Sequence, residues 1–156
     1  MKIKGRSFDT PKPVSVVLPW GDENILILCG AVSGYEGFEE LCPPPVPPRA
    51  LKPGGLETLD VGDKGFIQKM SEHSQLRTYW LIKESLKSTP ELVWDGVDDN
   101  VPSTWDKLET ELNKAFTENG VSKIIEAVLR ANGLSEAIVG EARESFLASQ
   151  LLQNDK

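Results

Sequence analysis

Apolar residues recur at every second position near the start of the chain and at helical spacing through its second half. Val14, Val16 and Leu18 alternate with Ser15, Val17 and Pro19, and Ile25, Ile27 and Cys29 alternate with Leu26 and Leu28. Period-two alternation puts each set on one face of a strand. Trp20-Gly-Asp-Glu-Asn between the two runs supplies turn residues, so a β-hairpin is expected with at least one buried face. An isolated hairpin is marginal in water, so this one must pack on another element. Tyr35-Glu-Gly-Phe-Glu-Glu-Leu then reads as a short amphipathic helix with Tyr35 and Phe38 on one side.

Pro43, Pro44, Pro45, Pro47 and Pro48 end that helix at once. Proline fixes φ and lacks an N–H, so this run is neither helix nor central strand. It should stand as an extended rod that either spaces two folded parts or presents itself to a partner. The 43–62 segment as a whole, including Lys52-Pro-Gly-Gly, reads as a long loop with little regular structure. Loops of that length are usually functional or linking.

Helical spacing takes over after Gly62. Asp63 is placed to cap a helix from about residue 64 to 87, with Phe66, Ile67, Met70, Tyr79, Trp80, Ile82 and Leu86 as its apolar positions. The polar Glu72–Gln75 stretch allows a break, and Thr89-Pro90 gives a stop. Pro102-Ser103-Thr104 opens the next helix, with Trp105, Leu108, Leu112 and Phe116 on one face, and Gly120 closes it. Ser122 caps a third helix that Gly133 closes, and Ser135 caps a last one through Ile138, Ala142, Phe146 and Leu147. The expected fold is α+β and mainly α: an N-terminal hairpin, a proline-rich extended loop and a C-terminal bundle of about four helices. The segments are 1–42, 43–62, 63–150 and a tail at 151–156, with the first three forming one compact unit.

Composition narrows the function classes. At 156 residues, with 39% hydrophobic and 26% charged residues, the chain has the profile of a globular domain. Its longest apolar run is Ile25–Val32, far short of the ~20 residues that cross a bilayer. No apolar stretch follows the basic start Met1-Lys-Ile-Lys, so a cytoplasmic chain without a membrane partner is expected. The net charge is −7, and the one local excess of cations is Lys2, Lys4, Arg6 and Lys12, read as a frayed, solvated terminus. Nucleic acid is therefore not the expected ligand.

Candidate chemistry is sparse. Cys29 and Cys42 with the single His73 lack the paired spacings of a zinc site, and Cys29 reads as a small buried hydrophobe. Asp95-Gly-Val-Asp-Asp-Asn misses the register of a calcium loop and reads as turn chemistry before a helix. His73 reads as solvent-facing, because Ser71, Glu72 and Ser74 are only sequence neighbours. No catalytic residue, metal or cofactor is expected. Trp105 continues a helical apolar face and belongs to a core, whereas Trp94 can plug the end of the bundle or anchor a partner.

Several stretches together resemble a pattern found in tailed-bacteriophage proteins. They are Phe38 and Leu41 leading into the proline run, Tyr79-Trp-Leu-Ile-Lys-Glu-Ser-Leu, Leu92-Val-Trp94 with Val97, and Val101-Pro-Ser-Thr-Trp105 with Leu108, Glu111 and Leu112. Ala131-Asn132-Gly133-Leu134 and Glu141-Ala-Arg-Glu-Ser-Phe-Leu147 complete it. Over about residues 35–148 the chain looks like the tail assembly chaperones of long-tailed phages, which hold the tape measure protein while the tail tube polymerises. The resemblance implies a non-enzymatic protein in the cytoplasm of the infected host, with the tape measure or tail tube protein as partner and a homo-oligomer left open. A structural virion component and a host-directed phage inhibitor are the alternatives. The expected contact surface is Tyr35, Phe38, Pro43, Pro44, Pro45, Pro47, Pro48 and Trp94, although local packing would account for each of them equally well.

Overall fold

The computed structural model describes residues 1–7 and 11–134. Along the chain these form β1 (Lys2–Ile3), β2 (Arg6–Ser7), β3 (Val14–Trp20), β4 (Glu23–Cys29), α1 (Glu36–Leu41), β5 (Arg49–Leu51), β6 (Glu57–Leu59), α2 (Lys64–Leu86), a 3-10 turn (Pro102–Thr104), α3 (Lys107–Ala115) and α4 (Glu118–Ala131). Among the described residues the fold is mixed α+β, with 42% helix and three two-stranded antiparallel sheets. The last expected helix, from Ser135, lies outside the described residues. Two compact units interleave along the chain. Of the described residues, one comprises 1–7, 11–32, 82–93 and 112–134, and the other comprises 33–81 and 94–111.

The first unit is built on β3 and β4, whose register pairs Val14 with Cys29, Val16 with Ile27 and Leu18 with Ile25. These six residues share one face, as their alternation predicts. Leu18, Ile27 and Cys29 are buried on it, while Val17 and Leu26 stand exposed on the other. The required cover is α4, which packs on both strands and buries Ile124, Ala127 and Val128.

The start of α4 differs from the expectation that Gly120 closes one helix and Ser122 caps the next. Thr117 is the N-cap, its hydroxyl accepting from the Gly120 N–H at 3.2 Å, so Gly120 lies inside the first turn. There the glycine serves packing, because a β-carbon would sit 3.3 Å from Phe116 Cβ and 3.7 Å from Leu18 Cδ1. The C-terminus follows the glycine rule. Gly133 takes φ +71°, its N–H donates to the Arg130 carbonyl, and the Leu134 N–H reaches the Leu129 carbonyl at 2.6 Å. That pair of bonds is a Schellman motif.

The free edge of β4 is closed by hydroxyl groups. Thr89 Oγ1 accepts from the Leu28 N–H and donates to the Leu28 carbonyl, both at 2.9 Å. Two residues on, Ser85 Oγ donates to the Gly30 carbonyl at 2.7 Å and the Gly30 N–H donates to the Ser85 carbonyl at 2.8 Å. Backbone groups of alternate residues point the same way across an antiparallel pair, so Ser15, Val17 and Pro19 carry the outer edge of β3. Pro19 has no N–H to leave unpaired there.

The N-terminus is a structured turn and not a frayed end. Lys2–Ile3 pair with Arg6–Ser7 around Lys4 and Gly5, whose φ values of 48° and 77° are those of a two-residue hairpin loop. Asp63 caps α2 as expected, its Oδ2 accepting from the Phe66 N–H at 2.8 Å. The helix runs through Glu72–Gln75 without a break. Its inward positions differ from the expected set. Phe66, His73 and Leu76 are half-buried, while Ile67 and Met70 are exposed. From Trp80 to Leu86 the helix is enclosed on nearly every side, and Lys83 is buried with its ammonium 2.6 Å from Glu84. Pro102 opens only the 3-10 turn, and α3 begins five residues later.

Candidate functional site

All the residues expected to make contact fall in the second unit. Tyr35 is the N-cap residue of α1, and its ring meets Trp80 at 5.6 Å with the Arg77 guanidinium 3.8 Å from its centroid. Phe38 reaches the same Trp80 at 6.0 Å, Trp105 at 6.3 Å and His73 at 4.9 Å. With 1% of its surface exposed, Phe38 is a core residue and offers a partner nothing. Tyr35 is only partly exposed, and the cation–π contact already occupies one face of the ring.

His73 is not solvent-facing. Its Nε2–H donates to the Cys42 carbonyl at 3.0 Å; a carbonyl can only accept, so Nε2 carries the proton. This contact settles a local need, since the three prolines that follow Cys42 offer no N–H. The imidazole thus fixes the point where the proline run leaves α1. The Cys42 thiol beside it is buried and pushed up from its ordinary value by loss of solvent. Cys29, in the first unit, is pushed up to about 11 for the same reason, and both thiols are free.

Beyond Cys42 the arm is open to solvent. Pro43, Pro44 and Pro48 are exposed, and Pro45 and Pro47 are half-buried. The 49–59 stretch forms a second small hairpin where a loop was expected. Arg49 pairs with Leu59, Ala50 with Thr58 and Leu51 with Glu57. Its turn is Pro53-Gly54-Gly55, with both glycines at positive φ (103° and 78°), a conformation that disfavours other residues. The signal was in the sequence, as Pro-Gly-Gly between Arg-Ala-Leu and Glu-Thr-Leu, but each run is too short to show alternation.

This arm also carries a feature the sequence reading overlooked. Val46 is 81% exposed, Leu51 75% and Leu59 57%, and Leu56 and Val61 are similarly bare. Scattered exposed leucines are ordinary, but here five apolar side chains within 16 residues stand bare, with Leu51 and Leu59 on one face of the hairpin.

Trp94 is half-buried in a loop that Glu111 holds. The Glu111 carboxylate accepts from the Asp95 N–H at 2.9 Å and from the Gly96 N–H at 2.7 Å. Asp98 serves the same loop, its carbonyl accepting from the Trp105 indole at 2.8 Å and its carboxylate from the Asn100 N–H at 2.9 Å. Asp98 and Glu111 thus hold backbone donors of this loop, the turn chemistry expected of the stretch. Among the described residues no three His, Cys, Asp or Glu side chains converge as a metal site would, and no helix is long and apolar enough to cross a membrane. The first unit has a cleft of about 420 Å³ lined by Leu18, Trp20, Phe116 and Lys123, among others; the Trp20 indole donates across it to the Ala115 carbonyl at 3.2 Å.

Compared with known proteins, the chain matches no family model, no curated protein and no solved structure.

Proposed function

We propose that this chain is a non-enzymatic bacteriophage tail assembly chaperone that holds the tape measure protein in the cytoplasm of the infected host. The observation that carries a binding role is the exposed arm, where Val46, Leu51, Leu56, Leu59 and Val61 lie bare and the 43–48 stretch is stiffened by five prolines. A stiff segment loses less conformational freedom on contact, so its apolar side chains bind at lower entropic cost. The residue pattern over about 35–148 supplies the phage assignment. In this reading the hairpin–arm–bundle plan has one purpose: the helices support the arm, and the arm reversibly covers apolar helical surface on the partner. Pro43, Pro44 and Pro48 line the contact with the bare leucines, and Tyr35 and Trp94 contribute the exposed parts of their rings.

The test is affinity capture of the tagged chain from infected cells, with mass spectrometry of purified particles alongside. Recovery of a very long helical phage protein, with the chain absent from particles, is the expected result. Stoichiometric presence in particles would replace the chaperone with a structural virion component. Capture of a single host protein and no phage protein would replace it with a host-directed inhibitor.

A further inference from the structure

We propose that the exposed face of the β5–β6 hairpin is a self-complementary contact through which two copies of this chain associate. Register and burial place four side chains on this face. Arg49 lies opposite Leu59 and Leu51 opposite Glu57, while Ala50 and Thr58 turn inward. Residues directly opposite on paired strands share a face, so the four occupy the corners of a rectangle. One diagonal joins the charges, with Arg49 Nη1 3.1 Å from Glu57 Oε2, and the other joins the two leucines.

That arrangement selects one way of meeting itself. A two-fold axis along the Leu51–Leu59 diagonal brings each leucine onto its own counterpart. It also brings Arg49 of each copy to Glu57 of the other. An axis along or across the strands would set arginine on leucine, and an axis along the charged diagonal would set like charges together. The favoured axis therefore pairs every apolar group with an apolar group and every charge with its opposite. With strands ~4.8 Å apart and alternate residues ~6.8 Å apart along each strand, the two hairpins would cross at roughly 70°. That is close to the orthogonal class of sheet packing.

A two-fold contact also closes on itself. It hides an apolar hairpin that would otherwise invite open-ended association. The patch is smaller than the ~800 Å² per partner of a standard interface, so the dissociation constant should lie on the order of 10 μM or weaker. The inference stands on the hairpin alone; because both contacts use Leu51 and Leu59, self-association and the proposed partner exclude one another on this face.

Sedimentation of the purified chain, from about 1 μM to about 1 mM and at low and high salt, tests it. A concentration-dependent dimer that weakens with salt is expected. Arg49→Glu and Glu57→Arg should each weaken association by ~10-fold or more, because each sets like charges across the axis. An equimolar mixture of these two variants should associate again, since one chain then presents two carboxylates and the other two cations. Leu59→Asp examines the same face without altering the charged corners and should also cost ~10-fold. A native chain that stays monomeric, an Arg49→Glu or Leu59→Asp chain that associates like the native one, or a mixture that stays monomeric would each overturn the proposal.

Discussion

Two hairpins in this chain share a local geometry and differ in what surrounds them. The β3–β4 pair buries Leu18, Ile27 and Cys29 under α4, and the hydroxyls of Ser85 and Thr89 close its β4 edge. The β5–β6 pair turns only Ala50 and Thr58 inward and shows Arg49, Leu51, Glu57 and Leu59 to solvent. Burial of one large apolar side chain is worth ~1.5–3 kcal/mol, so the first hairpin is held by its cover. The second has the Arg49–Glu57 pair, with side chains 77% and 58% exposed, and a pair that open contributes at most ~1 kcal/mol. Identical strand pairing therefore serves as framework in one place and as displayed surface in the other.

Truncating each hairpin in turn is the most direct way to break this comparison. Ile27→Ala should cost ~2–5 kcal/mol of unfolding free energy in urea, whereas Leu59→Ala should stay within ~0.5 kcal/mol. A loss above about 2 kcal/mol at Leu59 would mean that the second hairpin is also framework.

The edge bonds come next. Ser85→Ala leaves the Gly30 carbonyl without its hydroxyl donor, and Thr89→Val strips both backbone groups of Leu28, so each should cost ~1–3 kcal/mol. The equivalent change in the arm, Thr58→Val, should be nearly silent in the same measurement.

A smaller effect is expected from acid. Burial pushes the Glu84 carboxyl up, but hydrogen bonds and charge from Lys83 at 2.6 Å and Lys87 at 2.7 Å outweigh it and hold the group below its ordinary 4.5. A carboxyl whose value is lower folded than unfolded adds stability above its unfolded value, and that stability disappears as pH falls through the folded value. Glu84→Gln should thus lower stability by about 1 kcal/mol at neutral pH and flatten the loss below about pH 4.5. Equal acid profiles for the two proteins would remove Glu84 from this role.

The first hairpin was legible in the sequence because burial of one face imposes alternation, and Val14–Leu18 and Ile25–Cys29 carry it over enough residues to be seen. The Asp63 cap and the Gly133 stop were legible because each depends on a local bond with a residue preference. The cap at Thr117 was missed because a glycine usually ends a helix, and here close packing around Gly120 prevails. Ile67 and Met70 misled for a different reason: helical spacing identifies a stripe without saying which stripe is covered. Among the contact residues, Phe38 and His73 could not be placed from sequence, because their roles depend on Trp80, Trp105 and the Cys42 carbonyl, far away along the chain. The bare leucines of the arm were readable as residues, but their exposure is a tertiary fact.

The hydroxyl closure of β4 also ties two distant stretches of backbone to one local opening event. The amide proton of Leu28 is held by Thr89, and that of Gly30 by the Ser85 carbonyl in the last turn of α2. Each amide can exchange with solvent deuterium only when the 85–89 stretch lets go of the strand, so fraying there is written into the exchange rates of residues some 55 to 61 positions earlier. Those two protons thus act as a clock for how often the helix end opens, readable without altering any residue.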